Sequence, residues 1–149
     1  MTSRDQQLVD PIEILLVEPN PGDVRLFTES FKEATISNQI HTVSDSDSAL
    51  DFLHQRGDYS DEPFPDLVLL DPHSLGPSGL EVLSELNDEP TLDEIPVIVL
   101  TSSEMGEEVL KSQGFDADNF IQKPVEIEDF ITFIQSVEGF WLTFTRSQT

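Results

Sequence analysis

The chain of 149 residues is long enough for one domain, and its 37% of hydrophobic residues suffices for a single core. It contains no cysteine, which excludes a disulfide framework, a thiolate nucleophile and a cysteine-ligated metal. Its 30 acidic and 7 basic residues give a net charge of −23. That charge is unsuited to nucleic acid, because binding a duplex needs several basic side chains.

The acidic residues are spread along the whole chain. Such a surface could attract a basic partner, or it could be an adaptation to high salt, where charge repulsion is screened. We favour the second interpretation, a halophilic origin, because the charge is not gathered in one tail. No apolar run reaches the roughly 20 residues of a membrane span, and the polar N-terminus does not resemble a signal peptide. We therefore expect a cytoplasmic protein that makes no contact with a membrane.

Five short apolar runs alternate along the chain with five amphipathic stretches. The predicted strands are residues 12–17, 39–43, 66–70, 96–100 and 119–122. The predicted helices, where apolar side chains recur at helical spacing, are residues 23–35, 48–55, 79–86, 107–113 and 126–137. Three of the runs are almost continuously apolar, as parallel strands buried on both faces are. The pattern predicts an α/β fold, a doubly wound five-stranded parallel sheet with helices on both faces.

We expect the domain to span residues 12–138, after a flexible segment at 1–11 and before a C-terminal tail at 139–149. The connections at 56–65 and 87–95 are long and polar, which is typical of surface loops. Four large apolar residues crowd into the tail: Phe140, Trp141, Leu142 and Phe144. They could cover an edge of the core, or they could form an exposed patch for a homodimer or another partner.

Polar side chains directly follow four of the predicted strands. Glu18 follows the first strand, Asp71 the third, Thr101 and Ser102 the fourth, and Lys123 the fifth. Ligands of an open parallel sheet bind beyond the carboxyl ends of its strands, so these side chains should converge. Carboxylates suit Mg²⁺, an ammonium and a hydroxyl suit a phosphoryl group, and Asp71 would be the nucleophile. Each residue alone is as well explained as a cap or a loop residue, so the site depends on their joint position.

Five motifs resemble the signature of response regulator receiver domains. They are ILLVEPNPGDVR from residue 14, DLVLLD from 66, GLEVL from 79, IPVIVLTSS from 95, and KP at 123–124. The resemblance covers residues 12–142. The NPGDVR opening and the EGFW ending are similar to single-domain regulators paired with microbial phytochrome kinases. The resemblance to receiver domains implies a flavodoxin-like sheet with strand order 2-1-3-4-5, and a signalling module rather than an enzyme.

The resemblance also implies a role for each residue at the strand ends. Asp71 matches the aspartate that accepts a phosphoryl group from a histidine kinase. Thr101 matches the switch hydroxyl, and Lys123 matches the lysine that binds a phosphoryl oxygen. The backbone N–H groups of His73 and Ser102 would donate hydrogen bonds to the other phosphoryl oxygens.

One metal ligand of the family pattern is missing. The first strand of a receiver normally ends in two acids, and here the second is Pro19, which has neither a carboxylate nor an N–H. The remaining set for Mg²⁺ is Glu18, Asp71 and the backbone carbonyl of His73, with Asn20 as a distant substitute. We expect weaker binding, because Mg²⁺ keeps its waters unless carboxylates replace them. Two hypotheses therefore stay open: a working phospho-receiver, and a degenerate receiver that binds its partner without phosphorylation.

Three neighbouring positions carry further expectations. Pro72 follows the phosphoacceptor and should hold it in extended geometry, leaving the N–H of His73 free for a phosphoryl oxygen. Phe120 matches an aromatic switch residue of the family. Pro124 matches the residue that usually follows a cis peptide bond.

Two other classes of protein with this kind of fold fit the sequence less well. A haloacid-type phosphohydrolase has a second acid two residues after its nucleophile, where this chain has His73. A flavodoxin needs a phosphate loop rich in Ser, Thr and Gly after the first strand, and the EPNP of residues 18–21 differs from it. No output domain is predicted. The signal would then pass through protein contacts, with a histidine kinase, a downstream partner or a second copy.

Overall fold

Five parallel strands form one sheet in the order β2-β1-β3-β4-β5, which confirms the predicted architecture. The computed structural model describes residues 11–101, 105–124, 126 and 128–147, and the backbone alone at 145–147. The strands are β1 (Ile12–Val17), β2 (Asn38–Val43), β3 (Leu67–Leu70), β4 (Val97–Thr101) and β5 (Asn119–Gln122). The helices are α1 (Pro21–Phe31), α2 (Ser46–Leu53), α3 (Gly79–Asp88), α4 (Gly106–Ser112) and α5 (Asp129–Ser147). Short 3₁₀ turns occupy Gly57–Tyr59 and His73–Ser78.

Both faces of the sheet are buried at its centre, because β3 is wholly apolar, β4 is apolar up to Thr101, and residues 14–17 of β1 are apolar and buried. In β1, Leu15 and Val17 face one side of the sheet while Ile14 and Leu16 face the other, as the alternation of a strand requires. Apolar residues of α2, α3 and α4 cover the first side, and those of α1 and α5 cover the second. This double cover leaves the carboxyl ends of the strands as the open edge.

Helix α1 begins two residues earlier than the apolar pattern predicted, because its first turn is capped. Asn20 Oδ1 accepts hydrogen bonds from the N–H groups of Gly22 at 2.8 Å and Asp23 at 3.1 Å. Pro21 occupies the first turn, where its missing N–H costs nothing. The cap therefore fixes Asp23 in the first turn of α1, close to the end of β1.

Helix α5 is longer than predicted. The apolar spacing continues beyond residue 137, and the helix runs from Asp129 to Ser147. Phe140 and Trp141 pack against the core, and both rings stack on Phe144. Ile127, predicted on the apolar face of this helix, lies outside the described residues. In the described ranges neither α5 nor any other helix is long and apolar enough to cross a membrane.

The connection before β4 is attached to the core. Leu92 and Ile95 are buried in the same apolar cluster as α3, although the prediction placed this segment at the surface. Their burial holds the chain against the sheet just before β4 begins.

Candidate functional site

The register of the sheet brings the predicted site residues to one edge. Strands β1 and β3 are paired up to the residues that precede Glu18 and Asp71. Strands β4 and β5 are paired up to Thr101 and the residue before Lys123. The N–H of Lys123 also donates to the carbonyl of Thr101 at 2.7 Å. Four predicted residues thus leave the sheet side by side.

Glu18 is a buried carboxylate, with 1% of its side chain exposed. Its backbone N–H still donates to the carbonyl of Val43, so the residue is held as an extension of β1. Oε2 accepts the N–H of Asn20 at 3.2 Å. Oε1 accepts no well-formed hydrogen bond and lies 2.5 Å from Lys123 Nζ, an ion pair. A cation that used this oxygen would have to displace the ammonium of Lys123.

Asp71 is buried too, and its two oxygens have different surroundings. Oδ1 accepts the N–H groups of His73 at 3.1 Å and Ser74 at 3.2 Å. Oδ2 faces Lys123 Nζ at 3.5 Å. Ser74 Oγ also donates to the carbonyl of Asp71 at 2.9 Å. Backbone N–H groups therefore fix Oδ1, and Oδ2 is the oxygen that points into the site.

The N–H of His73 is therefore not free, which differs from the expectation. Pro72 has helical backbone angles, φ −67° and ψ −28°, and leads into the 3₁₀ turn His73–Ser78. The first N–H groups of such a turn have no partner within it, so the preceding carboxylate accepts them. To donate to a phosphoryl oxygen, the N–H of His73 would have to give up its hydrogen bond to Asp71 Oδ1. The imidazole of His73 is exposed.

Lys123 joins three carboxylates. Besides Glu18 at 2.5 Å and Asp71 at 3.5 Å, its ammonium lies 3.2 Å from Asp23 Oδ2. Burial alone would lower the pKa of Lys123, but the carboxylates, Glu18 above all, outweigh it and raise that pKa above its ordinary value. The lysine is therefore a fixed positive charge at neutral pH.

Asp23 is the site residue that the sequence analysis missed. It lies on a helix, five positions after Glu18, so a search of the residues directly after the strands could not find it. The signal was the Asn20-Pro21 pair, which caps a helix and sets residue 23 in its first turn. Asn20, predicted as a distant metal ligand, instead uses its side-chain oxygen to cap α1.

Thr101 is buried against the first residue of α4. A Cβ placed on Gly106 would lie 2.9 Å from both Cβ and Cγ2 of Thr101, so only glycine allows this approach. Ser102, the predicted backbone donor, lies outside the described residues. The short distance makes Gly106 the direct neighbour of the predicted switch hydroxyl.

Phe120 and Pro124 complete the surroundings. The ring of Phe120 packs partly buried against the core, with Lys111 Nζ 5.4 Å from its centroid. The peptide bond between Lys123 and Pro124 is trans, so the cis bond implied by the resemblance is not found.

The donor set at this edge fits a hard divalent cation. Glu18 Oε1 is a buried carboxylate oxygen paired with the ammonium of Lys123, and Asp71 Oδ2 faces the same ammonium. Mg²⁺ in proteins usually takes one or two carboxylates and keeps several waters, so two carboxylates suffice. In the part of the chain that the structure describes, no cluster of three or more His, Cys, Asp or Glu is arranged around one metal position. A bound Mg²⁺ would therefore depend on these two carboxylates, the His73 carbonyl and water.

Comparison with known proteins gives a family and several close relatives. The family described as response regulator receiver domain matches residues 14–135. Response regulator Rcp1 of Synechocystis sp. is 37% identical over 132 residues, which are 89% of this chain and 90% of Rcp1. The matched range contains Glu18, Asp71, Thr101 and Lys123.

Solved structures agree with that match. The phosphorylated cyanobacterial phytochrome response regulator RcpA has a TM-score of 0.79 and 33% identity, over 91% of this chain and 96% of RcpA. The Mn(2+)-bound form of Rcp1 has a TM-score of 0.77 and 37% identity, over 89% of this chain and 95% of Rcp1.

Proposed function

This chain belongs to the family of response regulator receiver domains, and we propose that Asp71 is the residue on which it is phosphorylated. Receiver domains accept a phosphoryl group from a histidine kinase and signal through protein contacts. The observation that carries the assignment is the asymmetry of the Asp71 carboxylate. Two backbone N–H groups hold Oδ1, while Oδ2 faces Lys123 at the open edge of the sheet.

Oδ2 is the oxygen that attacks phosphorus. A bond forms between Oδ2 and phosphorus while the bond from phosphorus to the histidine nitrogen of the kinase breaks, and the imidazole leaves with that electron pair. Lys123 neutralises charge on a phosphoryl oxygen, and the Thr101 hydroxyl donates a hydrogen bond to another. The further backbone donors that we propose are the N–H of Ser102 and, once it has left Asp71 Oδ1, the N–H of His73.

Mg²⁺ is the cofactor of the proposal, held by Glu18, Asp71 and the backbone carbonyl of His73. When bound, it neutralises negative charge on the transferred group. The buried carboxylate of Glu18 supports the assignment of Mg²⁺, because its Oε1 is an oxygen ligand at the open edge whose neighbour is the side-chain ammonium of Lys123 rather than a backbone N–H. The Mn(2+)-bound form of the relative Rcp1 also supports it. Affinity should be weaker than with two acids after β1, because Pro19 contributes no oxygen.

The degenerate receiver remains the second candidate, and Pro19 is the only feature that favours it. Glu18, Asp71, Thr101 and Lys123 are all present at the same edge, which favours the working receiver. We also propose that the partner kinase is of the phytochrome type. The relative RcpA is a cyanobacterial phytochrome response regulator, and Rcp1 is a second similar response regulator.

A second copy of this chain is the further partner that we propose. Two large apolar side chains of α5 are exposed, Ile131 at 68% and Leu142 at 52%. They lie about three helical turns apart and therefore on one side of α5. A second copy would cover this stripe, and salt should favour the contact because each chain carries a charge of −23.

Acetyl phosphate, a small phosphodonor, tests the assignment of Asp71. Wild-type protein should gain the mass of one phosphoryl group, and hydroxylamine should remove it, as expected of an acyl phosphate. Asp71→Asn should gain nothing. Asp58→Asn, which alters an exposed aspartate in the Gly57–Tyr59 turn, is the matched control and should be labelled like wild type. Equal labelling of Asp71→Asn would refute the assignment.

A further inference from the structure

We propose that Asp23 supplies the negative charge that this site lacks at Pro19, acting through Lys123 and the water around the cation. The inference rests on the proposed function, because it concerns the same edge of the sheet. It makes Asp23 a positioning residue, since its carboxylate contacts the ammonium of Lys123 at 3.2 Å.

The position of Asp23 is fixed independently of the site. Asn20 caps the first turn of α1 and accepts the N–H of Asp23 itself at 3.1 Å. The side chain of Asp23 is 36% exposed, so it stands at the mouth of the cluster, while Glu18 is 1% exposed at its floor. The three carboxylates thus approach Lys123 from the end of β1, the start of α1 and the end of β3.

The formal charge of the cluster supports this role. Three carboxylates and one ammonium leave a charge of −2, which matches a divalent cation. Without Asp23 the same cluster would carry −1. Pro19 adds no charge to the cluster, so Asp23 is the carboxylate that brings it from −1 to −2.

Asp23 also gives Lys123 a partner when a cation competes with it for Glu18 and Asp71. Glu18 and Asp71 are the two carboxylates that a cation would need, and both now contact the ammonium. A cation bound to them would repel Lys123 and take its partners. Asp23 is the partner that Lys123 keeps, so the ammonium stays beside Asp71 Oδ2 instead of swinging into solvent.

Direct coordination by all three carboxylates is not what the geometry favours. Within the described ranges, no three metal-binding side chains are arranged around one position. The effect of Asp23 should therefore be that of a partly exposed charge, which salt screens. A direct ligand such as Glu18 would keep most of its effect in salt.

Calorimetric titration with Mg²⁺ measures this directly, on the full chain in low salt and again in about 1 M KCl. Asp23→Asn should weaken Mg²⁺ binding by about threefold to tenfold in low salt, and by less in high salt. Asp23→Glu should retain most of the affinity. The control is Asp47→Asn, because Asp47 is the acidic residue in the first turn of α2 and helps that helix dipole in the same way.

A double variant that moves the carboxylate from position 23 to position 19 tests whether Asp23 compensates for Pro19. Pro19→Asp combined with Asp23→Asn keeps the charge of the cluster and should bind Mg²⁺ at least as tightly as wild type. Equal affinity of wild type and Asp23→Asn would overturn the inference while the proposed function stands. Absence of Mg²⁺ binding by wild type would also overturn the inference, together with the assignment of Mg²⁺ as the cofactor. The assignment of Asp71 would be overturned only by its failure to be labelled with acetyl phosphate.

Discussion

Lys123 Nζ lies 2.5 Å from Glu18 Oε1, so an ammonium contacts the buried oxygen that a divalent cation would use. The same ammonium reaches Oδ2 of Asp71, the proposed phosphoacceptor, at 3.5 Å. A cation and Lys123 therefore share their partners in this site. Binding of one therefore changes the energy of placing the other.

Replacing Lys123 by methionine should raise Mg²⁺ affinity and lower stability in the absence of the metal. The change leaves the buried Glu18 without its ion pair, which costs roughly 3–5 kcal/mol for a buried partner. Thermal unfolding should therefore become strongly dependent on Mg²⁺. Lys111→Met, which removes an exposed lysine on α4, is the matched control. A variant whose melting temperature responds to Mg²⁺ no more than wild type does would show that Lys123 and the cation do not compete.

Restoring an acid after β1 should strengthen the metal site. Pro19→Asp adds a carboxylate next to Glu18, and Mg²⁺ affinity should rise by about tenfold or more, because the ion exchanges waters readily only for charged oxygens. Pro19→Asn removes the proline without adding charge and serves as the control in the same calorimetric titration. If both variants bind like wild type, Pro19 is not the feature that limits the metal site.

Adding one methyl group at Gly106 should disturb Thr101. The new Cβ would lie 2.9 Å from two carbon atoms of Thr101, so Gly106→Ala should cost about 1–3 kcal/mol in the free energy of unfolding. Gly139→Ala is the control, because Gly139 lies within α5 with no atom near its Cβ position. That change should instead stabilise by about 0.5–1 kcal/mol. Denaturant unfolding measures the stability of both variants. If Gly106→Ala is as stable as Gly139→Ala, the tight contact between Gly106 and Thr101 is contradicted.

Much of this site follows from the sequence, and the exceptions have physical causes. Apolar runs located the strands, and parallel strands must end at one edge, which found Glu18, Asp71 and Lys123. Asp23 was missed because its position depends on a helix cap rather than on a strand. The bonded N–H of His73 was missed because the backbone angles of Pro72 decide it, and Pro72 can adopt helical or extended angles.

The C-terminal end of α5 was also predicted incorrectly from the sequence. The apolar spacing that predicts a helix continues through Phe140, Trp141 and Phe144, yet a tail was expected there. Phe140 and Trp141 pack against the core, which agrees with the interpretation that the segment covers it. The patch for a homodimer stays a prediction, and Leu142 is 52% exposed.

Leu142 is the residue to change when testing contact with a second copy. Sedimentation in about 2 M KCl, where charge repulsion is screened, should show wild type associating and Leu142→Gln shifted toward monomer. Thermal stability should stay within about 0.5 kcal/mol, since the side chain is exposed. Thr143→Gln, at the adjacent exposed position, is the control. A wild type that sediments as a monomer in high salt would remove the second copy from the proposal.

The most direct test of the account is the Mg²⁺ dependence of phosphorylation. Wild-type protein and Asp71→Asn are incubated with acetyl phosphate, in Mg²⁺ or in chelator, and intact mass is followed with time. We predict that wild type gains one phosphoryl group much faster in Mg²⁺ than in chelator, and that Asp71→Asn gains none. Wild type that stays unlabelled in Mg²⁺, under conditions where its fold is intact, would contradict a working receiver and leave the degenerate one.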